Sequence, residues 1–143
     1  MELQFNIKKM IEQKQFKKAL SYFKEHKKDY TKEEIGSNVY LTANILQCLR
    51  MTKEWDAGES YLNIYEIKID SGTSERIITA LSLLRYDWYK NLVAEERSVE
   101  KVLDSLIYIL PLLRNIGSQF SINLYNTIVS RILKTESKRS QVN

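Results

Sequence analysis

His26 and Cys48 are the chain's only imidazole and only thiol, so the chemistry open to it is narrow. A zinc site of the usual kind draws on several His and Cys ligands, which one copy of this chain cannot supply. His26 falls near the C-terminal end of a lysine-rich stretch with helical spacing. A protonated imidazole is favoured there by the helix dipole, which suits a capping role better than a general base. Cys48 lies in ANILQCLR, among Ile45, Leu46 and Leu49, the surroundings of a buried thiol. A nucleophilic thiolate would need a cation beside it. The acid pairs Glu33-Glu34 and Glu95-Glu96 would project about 100° apart on a helix, which serves solvation or capping rather than a shared proton. No Gly-rich loop precedes a Lys-Ser or Lys-Thr pair, and neither HExxH nor GxSxG occurs. These residues imply a non-catalytic chain with no cofactor and no metal.

Binding chemistry is better represented. RYDWYK, Arg85 to Lys90, gathers two tyrosines and a tryptophan between cations. Trp88 belongs to an inward apolar stripe. Arg85 and Tyr89 are four apart, hence neighbours on another face, where a guanidinium and a ring can meet a ligand.

The elements that must position these groups are helices. Only four Gly and one Pro punctuate 143 residues, and an all-β chain needs far more turn signals. Seven helices follow from apolar spacing. The first runs from about Leu3 to Gln13 (Leu3, Ile7, Met10, Ile11) and the second from about Gln15 to Lys28 (Phe16, Ala19, Leu20, Phe23). Thr31 and Glu34 form a capping box that opens a third helix reaching Met51. Thr52 caps a fourth, to Ile69, and the SGTS run, Ser71 to Ser74, opens a fifth, to Ala94. Ser98 caps a sixth, Val99 to Ile116, apolar on most sides and therefore expected to be the buried one. Pro111 should kink it or end its regular part. The seventh spans about Ser121 to Thr135. One helical domain, 1–135, and a polar, fraying tail, 136–143, complete the expectation.

The longest apolar uncharged run, SLIYILPLL, is too short for a bilayer, which takes about 20 residues, and a lone cysteine suits a reducing compartment. A cytoplasmic protein is the economical reading. Charge is uneven: residues 1–32 hold nine Lys against four acids, residues 33–130 nine basic against thirteen acidic, and the last thirteen four against one.

The second helices repeat. KQFKKALSYF, Lys14 to Phe23, aligns with KEWDAGESYL, Lys53 to Leu62, so that Phe16 falls on Trp55, Ala19 on Gly58 and Phe23 on Leu62. RSVEKVLDSLI, Arg97 to Ile107, gives a weaker copy with Val99, Val102 and Leu106. A bulky residue plugs the groove to the next pair, a small one lets two backbones approach, and another bulky one fills the gap. This pattern resembles the second helix of the tetratricopeptide repeat, whose consensus places an aromatic, then Ala three on, then an aromatic four further. The offsets of 39 and 44 residues exceed that family's period of about 34, and Ile7 and Leu46 stand where its first helix has a small residue. NLYNTIVSRILK, Asn123 to Lys134, is similar to the first helix of a pentatricopeptide repeat. A non-repeating helical bundle would satisfy the same apolar spacing.

The tetratricopeptide resemblance implies antiparallel hairpins stacked as a short α-solenoid that binds a peptide or partner helix on its inner face. Tyr40, Gln47 and Arg50 would face inward from the second pair, Lys8 from the first, and Arg85 and Tyr89 from the third. Their cationic, amide and aromatic groups suit an acidic or amide-rich segment of a protein partner. Two other readings stand beside that scaffold role. Lys8, Lys9, Lys14, Lys17 and Lys18 could contact the phosphates of a nucleic acid. Alternatively, the chain could be a self-associating regulatory fragment of a larger protein, its last helix, with Leu124, Ile128 and Ile132 on one side and Tyr125, Val129 and Leu133 beside them, pairing with a second copy as a homodimer or with a downstream domain.

Overall fold

Chain reversals set the architecture. Lys14, Lys53, Glu66 and Glu96 each adopt a left-handed backbone, with φ of 58°, 59°, 53° and 56°. In every case the next residue's N–H donates to a carbonyl five positions back: Gln15 to Met10, Glu54 to Leu49, Ile67 to Leu62, and Arg97 to Leu92, at 2.8 to 2.9 Å. This Schellman closure satisfies the helix's last carbonyls and turns the chain sharply. Glycine normally occupies the left-handed position, because a Cβ there costs about 1 kcal/mol or more.

The protein is described here by a computed structural model, which covers the backbone of residues 1–142 and the side chains of 1–140. Its described residues contain no strand. Eight α-helices follow in order: α1 (Glu2–Glu12), α2 (Phe16–His26), α3 (Lys32–Gly36), α4 (Val39–Met51), α5 (Trp55–Ile64), α6 (Glu75–Ala94), α7 (Glu100–Ile116) and α8 (Gln119–Val142). A short 3-10 turn, Lys27–Asp29, follows α2. α1 with α2, α4 with α5, and α6 with α7 are packed pairs, each turned by the closure just described. α4 also packs on α1 and α2, α6 packs on α4 and α5, and α8 lies against α7.

The bulky-small-bulky positions bury as their chemistry requires. Phe16 and Trp55 open α2 and α5, and Val99 immediately precedes α7. Ala19, Gly58 and Val102 are buried one turn later, and Phe23, Leu62 and Leu106 one turn after that. A Cβ on Gly58 would run into the Leu84 side chain, so this glycine lets α5 approach α6.

Several expectations are corrected. The Thr31–Glu34 capping box forms, but the helix it opens breaks after Gly36, giving eight helices rather than seven. A Cβ at Gly36 would meet the Tyr65 carbonyl at 2.7 Å, so backbones meet there, and Asn38 recaps the chain by accepting from the Leu41 N–H at 2.9 Å. The helix expected to reach Ile69 stops at Ile64, and Thr52 donates to the Cys48 carbonyl at 2.9 Å, closing α4 rather than capping α5. α6 is more enclosed than α7: Ile78, Leu81, Ser82, Leu84 and Tyr89 are at 2% exposure or less, whereas α7 leaves Ile107 and Tyr108 more than half exposed. Pro111 lies on that exposed side with Ile107, whose carbonyl loses its helical donor, and α7 continues to Gly117 (φ 76°). The polar ending from 136 continues α8 to Val142, and Asn143 lies outside the described residues.

Candidate functional site

Where α4 and α6 lie side by side, small residues face each other. Ala43 and Ala80 leave a cleft of ≈ 430 Å³ between the two helices. α4 adds Asn44, Gln47 and Arg50 to its walls, and α6 adds Glu75, Arg76, Thr79 and Leu83. Helical geometry explains the set: 43, 47 and 50 on α4, and 76, 80 and 83 on α6, each form a single stripe at three- and four-residue steps.

Both ends of the cleft carry fixed charges. At one end the Arg76 guanidinium lies 4.7 Å from the centre of the Tyr40 ring, and Tyr40 remains half exposed. At the other, Arg50 Nε donates to Asp87 Oδ2 at 2.7 Å, and Lys90 Nζ reaches Asp87 Oδ1 at 3.4 Å while resting on the Tyr86 ring at 4.3 Å. Between these ends, Asn44, Gln47 and Thr79 hold no side-chain hydrogen bond to another described residue. Amide and hydroxyl groups standing free above an alanine floor can pair with both the N–H and C=O of a guest backbone.

The six residues singled out from sequence are distributed unequally. Gln47 and Arg50 line the cleft and Tyr40 stands at its end through Arg76. Lys8 is exposed on α1 and does not line it. Arg85 and Tyr89 are corrected: neither faces solvent. Arg85 is 6% exposed, clamps both oxygens of Glu59 on α5 at 2.9 and 3.2 Å, and donates through Nη1 to the Ser105 carbonyl of α7 at 2.9 Å. Tyr89 is fully buried and donates to Glu136 Oε2 of α8 at 2.6 Å. Burial first, then Glu136, pushes the Tyr89 phenol well above its ordinary range. Trp88, assigned inward, is only half-buried.

Sequence reading missed Asn44, Arg76, Thr79 and Leu83. The usable signal was present: stepping Arg76, Thr79, Leu83, Asp87 and Lys90 at helical intervals traces a polar stripe interrupted by one leucine.

The two residues with chemical potential elsewhere are quiet. His26 stacks on Tyr22 with ring centres 4.1 Å apart and sits 3.9 Å from Asp29. Cys48 is free and fully buried, and burial pushes its thiol up to about 12. Among the described residues no three His, Cys, Asp or Glu side chains cluster to hold a metal, and no helix is long and apolar enough to cross a membrane. Comparison with protein-family models, curated proteins and solved structures returns no match.

Proposed function

We propose that this chain is a non-catalytic interaction module that holds an extended peptide or a partner helix in the cleft between α4 and α6. One observation carries the reading: an open cleft of ≈ 430 Å³ with an alanine floor, unspent amide groups and fixed charges at both ends. The neighbour pattern supports it further. Each hairpin's first helix packs on the first helix of the next, α1 on α4 and α4 on α6, and each second helix packs on the following first helix, α2 on α4 and α5 on α6. A stack of that kind keeps the first helices on one side, as the tetratricopeptide-like reading requires.

The test is a display selection of random peptides on the intact chain, followed by binding to variants. Arg50→Glu combined with Tyr40→Ala should abolish binding of the selected peptides while leaving the helical circular dichroism unchanged. Filling the floor with Ala80→Trp should do the same by volume alone. Selected peptides that bind both variants as well as the parent would place the function elsewhere.

A further inference from the structure

A second groove, between the C-terminal end of α6 and α8, differs from the first in carrying four cationic side chains and no acid. Its volume is ≈ 400 Å³, and Val93 of α6 faces Arg131, Lys134, Thr135, Lys138 and Arg139 of α8. These α8 residues follow at steps of three, one, three and one, so they share one helix face. No carboxylate lines the groove.

Three of the four cations are not neutralised within the described residues. Glu136 is the only acid on α8, and it is already occupied by the Tyr89 hydroxyl at 2.6 Å and Arg139 Nε at 3.4 Å. Arg131, Lys134 and Lys138 are exposed and form no ion pair with another described residue. Lys134 and Lys138 are four apart, a like-charge arrangement that destabilises a helix by a few tenths of a kcal/mol. The helix dipole favours cations in the final turn and so accounts for Arg139, not for Arg131 and Lys134 two turns earlier.

We infer that the α6–α8 groove docks a short acidic stretch of a protein partner. Arg131 to Lys138 spans about 10 Å along the helix, the length of about three extended residues. A nucleic-acid strand asks for a longer positive track with stacking rings.

Fluorescence anisotropy with a fluorescein-labelled deca-glutamate peptide tests the inference on the full chain. Binding should weaken steeply between about 50 mM and about 200 mM salt. Lys134→Glu with Lys138→Glu should weaken it by about tenfold or more, and the milder Lys134→Gln with Lys138→Gln by an intermediate factor, with helical content retained in both. Gln47→Ala with Leu83→Ala, in the α4–α6 cleft, should leave it unchanged, which separates this groove from the cleft. Absence of binding by the parent chain, or equal binding by both lysine variants, overturns the inference. A labelled single-stranded oligonucleotide that binds more tightly than the peptide, and loses binding with the same lysines, overturns it in favour of nucleic acid.

Discussion

Arg85 joins three helices through one guanidinium, since Glu59 belongs to α5 and Ser105 to α7. Replacing it with methionine keeps most of the volume but removes the second donor to the Ser105 carbonyl and leaves Glu59, itself about a third exposed, without its partner. Arg85→Met should therefore cost about 2 kcal/mol in urea unfolding while leaving peptide binding in the α4–α6 cleft intact. Loss of binding without loss of stability would return Arg85 to the surface role that the sequence implied. Cys48 makes a separate prediction. Its thiol is raised from 9.0 to about 12 in the folded chain, so the native state keeps a proton that the unfolded state releases above pH 9. Stability is then fully present below that pH and falls as pH rises toward 12, by up to about 1.4 kcal/mol per unit. Tyr61 and Tyr89 are shifted in the same direction by burial and add to the loss. Urea midpoints measured from about pH 8 to about pH 11 should decline, and decline less steeply in Cys48→Ala.

At the scale of elements, the repeated left-handed closure is the common device. Lys53 carries a Cβ where glycine fits better, so Lys53→Gly should stabilise by about 0.5–1 kcal/mol, after allowance for the greater freedom glycine gives the unfolded chain. A lower melting temperature in that variant would mean that the Lys53 side chain contributes more than its backbone strain costs. Much at this scale was legible beforehand. The capping box at Thr31 and the teeth Phe16, Ala19 and Phe23 are local signals, and local chemistry decides them. The break after Gly36 was not anticipated: Asn38 restarts the helix by a local cap, and Gly36 lies against the Tyr65 carbonyl, far along the chain. The same limit hid the burial of α6. Arg85 and Tyr89 look like surface residues until Glu59, Ser105 and Glu136, between 20 and 47 positions away, satisfy them. With those two turned inward, the open face of α6 shifts to Arg76, Thr79 and Leu83, and half of the candidate cleft lay outside sequence reading for that reason.

At the scale of the whole molecule, hairpins with matching turns place α4 and α6 next to each other, and two alanines keep that seam from filling. α8 follows α7 with Ile128 buried and Leu133 67% exposed, so its apolar shoulder and its cationic groove look in different directions around one helix. Polar and charged side chains thus line grooves between helices. The central claim is that a guest chain lies along the α4–α6 seam. Placing a photo-crosslinking amino acid at Gln47, and separately at Lys24 on α2, and irradiating each with a selected peptide tests it directly. The account predicts covalent capture from position 47 and none from position 24. Capture from position 24 with none from position 47 would contradict it.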